Sequence, residues 1–213
     1  MKIFNVAFLF DKTNNWLFEY FEKRKFHLQN IKVSCLFEAS EAVGFDVVFL
    51  LGYTTILPKT FLAQNDLTLV VHESALPKGK GFAPVQWQLL EGYSEITVSL
   101  IEAVEKCDSG DIFHQLKIAF DGTELYDEIR EKQAIATIDI ISEFLNSYPN
   151  VSRSKQIGEE SFYPKRTWAD GELDINKTIQ DNFNLLRVGN NDAWPSFFYH
   201  KGTKYILKIF KDP

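Results

Sequence analysis

Two segments of the sequence combine residue types that handle protons in enzymes. His72 ends the apolar run LTLVVH, and the loop that follows carries Lys78 and Lys80 among prolines and glycines. Asp108 and Asp111 flank a Ser-Gly turn in EKCDSGDIF. An imidazole paired with a carboxylate suits general acid–base catalysis near neutral pH. On spacing alone, the commoner explanations are a strand end with a solvated turn, and a turn in which Asp108 bonds its own backbone.

Other familiar chemistries lack their motifs in this sequence. The segment FDKTNN, after the first apolar run, has none of the glycines of a dinucleotide-binding or P-loop turn. None of the four histidines has a cysteine or histidine partner at metal-site spacing, and Cys35 and Cys107 are too few for a disulfide scaffold. There is no GxSxG elbow either. The sequence therefore predicts no metal site and no dinucleotide or P-loop site.

The elements that must position His72 and Asp108 alternate between strand and helix. Helical spacing, or a proline or glycine at a helix end, marks 15–26, 57–64, 83–92 and a long segment from Thr123 to Leu145. Continuous apolar strands are typical of parallel sheets covered on both faces. The pattern predicts an α/β fold with a doubly wound sheet. The predicted strands are 3–10, 31–37, 45–52, 67–72, 95–104 and 111–120.

The character of the sequence changes near Pro149. NVSRSKQIGEES is polar, the segment 177–188 has helical spacing, and SFFYH and KYILKIF flank a Lys-Gly turn. A chain of 213 residues buries about 70 % of the surface that its unfolded form exposes, which suits one domain with a small appendage. We expect a main domain over residues 1–150 and a C-terminal extension over 151–213, made of a loop, a helix and a β-hairpin.

Charge and hydropathy argue against two classes of protein, although a local basic site stays open. The net charge of −6 argues against a general nucleic-acid binder. No stretch approaches the roughly 20 uncharged apolar residues of a membrane span, and the opening MKIFNVAFLFDK has no leader-like cleavage site. We therefore expect a cytoplasmic protein with no membrane or nucleic-acid partner, and a homodimer is one expected assembly.

The two proton-handling segments together resemble a known family. HESALPKGKGFAPVQWQLLEG (72–92) resembles the His-x-Ser-Leu-Leu-Pro loop and following helix of the formyltransferase family, and EKCDSGDIF is similar to that family's later Asp-x-Gly segment. FDVVFLLGYTTILP and FYPKRTWADGELD also resemble family segments, the second in the methionyl-tRNA and sugar subgroups. The resemblance extends from about Phe45 to Lys208. It implies a Rossmann-like, mostly parallel sheet, here with a small C-terminal helix-plus-hairpin appendage.

The resemblance implies transfer of a formyl group from N10-formyltetrahydrofolate to an amine. His72 would handle the proton and stabilise the oxyanion, while Asp108 would orient His72 and help to deprotonate the amine. Both residues should lie at strand ends on one edge of the sheet. One position departs from the family: Val70 stands where the family has asparagine, and losing one oxyanion donor costs about 10²–10³ in rate. The surviving loop and Asp108 favour an active branch.

The resemblance also assigns the pterin pocket. Thr54, Ile56 and Leu57 follow the third predicted strand, and Cys107 belongs to the backbone run 104–108 on the other side. A flat ring with hydrogen-bonding edges needs apolar walls and backbone donors and acceptors rather than charges. We expect these four residues to bind the cofactor, although an ordinary turn would also explain Thr54.

The expected acceptor is a nucleotide-linked amino-deoxysugar, carried by UDP or dTDP and used in formylated surface glycans of the pseudaminic-acid type. Three features of other branches of the family are not expected here, which favours the amino-sugar branch. They are a further C-terminal domain in methionyl-tRNA formyltransferase, a glycine-rich loop after the first strand in glycinamide ribonucleotide transformylase, and an N-terminal regulatory domain in formyltetrahydrofolate hydrolases. A diphosphate needs cations and a base favours aromatic faces. The candidates are Lys78, Lys80, Arg187, Trp87, Trp168 and Trp194, with core packing the commoner role of each tryptophan.

Two alternatives stand beside this hypothesis. Val70 motivates a folate- or sugar-nucleotide-binding relative without turnover. A formyltransferase that acts on another amine, as methionyl-tRNA formyltransferase does, is the other.

Overall fold

A six-stranded sheet forms the centre of the computed structural model, which describes residues 2–24 and 29–212. Its strands are β1 (Phe4–Phe10), β2 (Ile31–Leu36), β3 (Val47–Leu51), β4 (Thr68–His72), β6 (Glu95–Glu102) and β7 (Ile112–Ala119). Short strands β5 (Lys80–Gly81) and β8 (Phe162–Tyr163) pair with each other, as do β9 (Ser196–His200) and β10 (Thr203–Leu207). The helices are α1 (Phe18–Lys23), α2 (Lys59–Leu62), α3 (Pro84–Leu90), α4 (Tyr126–Ser147) and α5 (Ile179–Arg187).

The order of the strands is β2-β1-β3-β4-β6-β7. The first four strands are parallel, and β6 is antiparallel to both of its neighbours. Strand β7 therefore runs in the same direction as β1 to β4, so that five of the six strands point one way. This confirms the predicted α/β fold with a mostly parallel sheet.

The two faces of the sheet are covered by different amounts of apolar side chain. On one face, Phe8 and Phe49 pack with α4 residues such as Ile141 and Phe144 in the larger core cluster. On the other face, a smaller cluster contains Ala7, Leu9, Val48, Leu50 and Phe61. Every residue of β3 is buried, which explains its uninterrupted apolar sequence. Each fully buried large side chain contributes about 1.5–3 kcal/mol to folding.

The helices begin and end close to the predicted positions. The long helix α4 starts at Tyr126, where the Glu128 carboxylate accepts the Leu125 backbone N–H at 2.8 Å and caps the first turn. The predicted helix over 15–26 is present as α1. Residues 25 and 26 of that prediction, and His27 after it, lie outside the described residues. None of the helices among residues 2–24 and 29–212 is long and apolar enough to cross a membrane.

The polar segment after residue 150 is attached to the sheet by backbone hydrogen bonds. Ile112 and Ser154 exchange N–H···O bonds of 2.8 and 2.9 Å, and the Lys80 N–H donates to the Ser161 carbonyl at 2.9 Å. The predicted helix and hairpin are present as α5 and β9–β10, with Thr178 capping α5. The division of the chain at residue 150 stays a prediction.

Candidate active site

A cleft of about 980 Å³ opens at the carboxyl ends of β1, β3 and β4. Ligands of open α/β sheets bind at this edge, because the loops that follow parallel strands converge there. The walls are the loops after these strands, the loop after β6, one side of α4, and a stretch of the C-terminal segment around residues 162–168.

His72 lies in this cleft as the last residue of β4 and is 6 % exposed. Its Nε2 atom is 2.8 Å from the Gly79 carbonyl oxygen. A carbonyl only accepts, so Nε2 carries the proton of the neutral ring and Nδ1 is left with the lone pair. The Nδ1 atom lies 3.6 Å from Oδ1 of Asp108. The imidazole is therefore oriented so that Nδ1 is the atom free to take a proton.

Asp108 reaches His72 by a route that the sequence did not predict. We expected both residues at strand ends on one edge of the sheet, but β6 is antiparallel and its hairpin loop starts at the other edge, where the Ala103 N–H donates to the Thr68 carbonyl. Ala103 then packs on the smaller core cluster beside Val70. The loop thus returns across this face of the sheet to the His72 side chain.

Several contacts fix Asp108 at the end of this path. Its backbone is in the left-handed region, with φ of +50°, and its Oδ2 accepts the Gly81 N–H at 2.8 Å. Gly110 is needed in the same turn because a Cβ there would lie 1.8 Å from the Glu102 carbonyl oxygen. The hydrogen bond to Oδ2 thus holds the Asp108 side chain in place, and Oδ1 faces His72.

Lys80 lies in a different environment from the one predicted for a phosphate-binding cation. It is 1 % exposed and does not line the cleft. Its Nζ donates to Ser109 Oγ at 2.9 Å and to Glu160 Oε1 at 2.7 Å. Glu160 also pairs with Lys106 at 3.0 Å, and the two lysines lower the pKa of its carboxyl group. Lys80 therefore connects the loop after β4 to the loop that carries Asp108.

The four predicted cofactor residues, Thr54, Ile56, Leu57 and Cys107, all line the cleft. Ile56 is 72 % exposed and Leu57 packs on the smaller core cluster, so both present apolar surface. Burial, with the neighbouring Asp108 charge, raises the pKa of the Cys107 thiol to about 11. This wall is therefore apolar or uncharged, as a heteroaromatic ring requires.

Asp11 is a buried residue that supports this site from outside the cleft lining, and the sequence analysis missed it. Its Oδ2 accepts both the backbone N–H of Thr54, at 3.0 Å, and the Thr54 hydroxyl, at 2.8 Å. Burial alone would raise the pKa of Asp11, but these bonds and those from Thr13 outweigh it and lower the pKa to about 2. An aspartate directly after a buried strand, at the edge where ligands bind, was the signal that could have identified it.

The predicted substrate residues do not come together in the cleft. Arg187 is a correction: it is 3 % exposed and pairs with the buried Glu124 at 3.2 Å, outside the cleft lining. Lys78 is exposed and also lies outside the lining. Trp87 stacks on Tyr163 at 6.3 Å and donates its Nε1–H to the Pro164 carbonyl, so it holds the C-terminal segment in place.

Other aromatic and charged side chains do line the cleft. Trp168 and Trp194 form a half-exposed pair with ring centroids 4.8 Å apart. On the side of α4, the cleft is lined by Glu73, Arg130 and Gln133, which no sequence motif singled out. Among the described residues, no group of three or more His, Cys, Asp or Glu side chains is arranged to hold a metal ion.

Comparison with known proteins agrees with this fold. The sequence profile of the family described as "Formyl transferase" matches residues 10–144. Methionyl-tRNA formyltransferase of Streptococcus gordonii is 29 % identical over 164 residues, which are 74 % of this chain and 51 % of that protein. The chain thus spans about half the length of the curated relatives that it matches.

Three solved structures share the fold at lower identity. Methionyl-tRNA formyltransferase from Clostridium thermocellum has a TM-score of 0.80 at 19 % identity, over 99 % of this chain and 94 % of that one. A sugar N-formyltransferase from a Shewanella species has 0.75 at 14 %, over 99 % of each chain. HypX from Aquifex aeolicus, in complex with tetrahydrofolic acid, has 0.75 at 16 %, over 98 % of this chain and 38 % of that one. Because the family profile covers more than half of the sequence, the chain belongs to the formyl transferase family.

Proposed function

We propose that this protein transfers a formyl group from N10-formyltetrahydrofolate to the amine of a nucleotide-linked amino-deoxysugar carried by UDP or dTDP. The observation that carries the proposal is the placement of His72 and Asp108, with a free Nδ1 atom 3.6 Å from a carboxylate oxygen, inside a cleft of about 980 Å³. Membership of the formyl transferase family supports the reaction.

The cleft has the surroundings that a reduced folate needs. The turn 52–57 and the loop 103–108 face one another across the smaller core cluster, and they offer apolar side chains, backbone groups and a neutral thiol. Gly52 has φ of +62°, and a Cβ there would lie 2.8 Å from the Asn14 carbonyl oxygen, so this turn is held close to the loop after β1. The wall is therefore fitted to a flat heteroaromatic ring.

His72 and Asp108 have complementary roles in the proposed reaction. Nδ1 of His72 accepts the proton that the amine loses when it forms a bond to the formyl carbon. The Asp108 carboxylate stabilises the imidazolium that results and fixes the ring orientation. Burial of His72 and the small exposure of the Asp108 side chain strengthen this interaction, because little water screens the two charges. The same imidazolium is then a donor for the oxygen that gains negative charge. When the intermediate collapses, the bond between the formyl carbon and N10 breaks, and the proton on Nδ1 passes to N10 of the departing tetrahydrofolate.

The amino-sugar acceptor is favoured over an RNA acceptor by charge. A protein that binds RNA phosphates presents clustered basic groups, whereas this chain has a net charge of −6, and Lys80 and Arg187 are buried in ion pairs. The pair Trp168–Trp194 offers an aromatic surface for a nucleotide base. The fold shared with a sugar N-formyltransferase is compatible with this assignment.

A second candidate acceptor is the methionyl group of methionyl-tRNA. The observation that favours it is the sequence similarity to methionyl-tRNA formyltransferase of Streptococcus gordonii, at 29 % identity over 164 residues. The two acceptors require different surfaces around the same His72–Asp108 pair.

One experiment separates the two acceptors. The protein is incubated with N10-formyltetrahydrofolate and, in parallel, with a panel of UDP- and dTDP-amino sugars and with methionyl-tRNA, and products are measured by mass. We expect a gain of one formyl group on one of the sugars, lost in His72→Asn. Formylation of methionyl-tRNA alone would replace the first proposal by the second. Binding of folate and sugar nucleotide without any product would support a relative without turnover.

A further inference from the structure

Arg130 is a cation in the cleft that has no carboxylate partner among the described residues. It projects from α4 into the lining of the cleft. Throughout residues 2–24 and 29–212, no carboxylate forms an ion pair with it, whereas Lys80 and Arg187 are both paired. A guanidinium that is partly desolvated and unpaired is costly unless a ligand supplies the charge.

The Arg130 side chain is held in one orientation by aromatic and polar neighbours. The guanidinium lies 4.4 Å from the centre of the Trp16 ring and 5.2 Å from that of Tyr126. Its Nε donates to the Tyr126 hydroxyl at 3.0 Å and its Nη1 to Gln133 Oε1 at 3.4 Å. Of five N–H donors, three are thus left for a ligand in this part of the structure.

Gln133 connects Arg130 to the residue beside His72. Its Nε2 donates to Glu73 Oε1 at 3.1 Å, and Gln133 itself is 3 % exposed. Val71 packs on the α4 side of the sheet, whereas Val70 packs on the smaller core cluster where the predicted folate residues lie. Glu73 and Arg130 therefore line the α4 side of the cleft, opposite the predicted pterin wall, and Glu73 directly follows His72 in the chain.

We propose that Arg130 binds a phosphate group of the amine acceptor, and that Gln133 and Glu73 keep Arg130 and the acceptor aligned with His72. The planar guanidinium matches two phosphate oxygens at once, and its stacking on the Trp16 ring, 4.4 Å away, favours this orientation. This inference rests on the proposed function for the identity of the acceptor, a nucleoside diphosphate linked to an amino sugar. It replaces the role expected of Lys80 and Arg187.

The test measures binding without the formyl donor, so that it does not depend on turnover. UDP, dTDP and inorganic pyrophosphate are titrated by calorimetry into the wild type, Arg130→Gln, Arg130→Lys and the control Lys117→Gln. The Lys117→Gln variant removes the same positive charge, but from an exposed ion pair with Glu95 that lies outside the cleft lining. We expect Kd for the better nucleotide to rise about 10–100-fold in Arg130→Gln, less in Arg130→Lys, and not in the control.

A second readout uses the contact between Arg130 and Trp16. Binding of pyrophosphate, which has no base to contact Trp168 or Trp194, should change the Trp16 emission, and both Arg130→Gln and Trp16→Phe should lack this change. Wild-type affinity in Arg130→Gln, or no binding of any of the three probes, overturns the inference. If nucleotide binding depends on Arg130 but the protein formylates no sugar, the inference about Arg130 holds and the proposed function is contradicted. If the protein formylates a sugar and Arg130→Gln leaves the acceptor KM unchanged, the proposed function holds and the inference about Arg130 fails.

Discussion

Nδ1 of His72 and Oδ1 of Asp108 lie 3.6 Å apart, although the two residues approach this point from opposite edges of the sheet. The distance is longer than a direct hydrogen bond, which leaves both atoms accessible to a substrate proton. The pair is thus set by two loops rather than by two neighbouring strand ends. Any change that lets the Asp108 loop move should affect catalysis before it affects the fold.

The first prediction concerns the pair itself. His72→Asn removes the proton acceptor and should lower kcat for formyl transfer at least about 10²-fold, with little change in the Kd of the folate. Asp108→Asn keeps the shape, removes the charge and should cost a comparable factor. The double variant should cost less than the product of the two, because the residues act as a unit.

The measurement for the pair is kcat per folded molecule, with folding followed by circular dichroism. If His72 were only a buried strand-end residue, His72→Asn would lower stability and keep kcat within a few-fold of the wild type. That result would end the catalytic interpretation.

The second prediction concerns Lys80 as a positioning residue. Lys80→Met removes the link from the loop after β4 to Ser109 and Glu160, so the Asp108 loop should shift. A displacement of about 1 Å in a catalytic group can cost about 10²-fold in rate. We expect a lower kcat with a nearly unchanged acceptor KM, whereas a phosphate-binding lysine would show the opposite split. The matched control is Lys106→Met, which removes an exposed lysine from the same glutamate.

The third prediction concerns Asp11 and pH. The folded-state pKa of Asp11 is lowered from 3.8 to about 2, so the carboxylate stabilises the folded state above pH 4 and loses this contribution as the pH falls toward 2. The shift corresponds to about 2 kcal/mol. Urea unfolding should therefore show Asp11→Asn destabilised about 1–2 kcal/mol more at pH 6 than at pH 2.5. Equal differences at the two pH values would show that the bonds to Thr54 do not depend on the charge.

Asp11→Asn should also weaken folate binding. Thr54 lines the predicted pterin pocket, and its backbone N–H and hydroxyl are both held by Asp11. We expect Kd for tetrahydrofolate to rise, with nucleotide binding unchanged. The control is Glu124→Gln. Burial would raise the pKa of Glu124, but its bonds to Lys132 and to backbone N–H groups lower it to about 2. Glu124 pairs with Lys132 and Arg187, neither of which lines the cleft.

The sequence predicted the fold because each strand of the six-stranded sheet carries its own signal, whereas the two-residue strands β5 and β8 were not predicted. Buried β3 is apolar throughout, and α4 has apolar residues at helical spacing, so local pattern and tertiary position agree. The direction of β6 has no such signal, because an apolar strand has the same residue pattern whether it pairs in a parallel or an antiparallel direction. The route of the Asp108 loop followed from that direction, and it was predicted wrongly.

The charged residues of the site were harder to predict for a related reason. Lys80 and Arg187 looked like free cations in the sequence, but Glu160 and Glu124 pair with them from positions 80 and 63 residues away. Such partners cannot be read from a local pattern. Arg130 shows the converse, since an arginine on a helix is usually solvated, and only the structure places it in the cleft.

The last prediction concerns the oxyanion donor that Val70 cannot supply. Val70 lines the cleft and has no hydrogen-bonding side chain. Gln86, on α3, lines the same cleft and is 6 % exposed, and its amide has no hydrogen-bond partner among residues 2–24 and 29–212. We expect Gln86→Leu to lower kcat about 10²-fold, as loss of an oxyanion donor does, with the folate Kd unchanged. Adding Val70→Asn should recover part of the rate. Gln115→Leu, which removes an amide bonded to Ser99 outside the cleft lining, is the control. A Gln86→Leu variant with wild-type kcat would exclude this side chain and leave His72 as the donor.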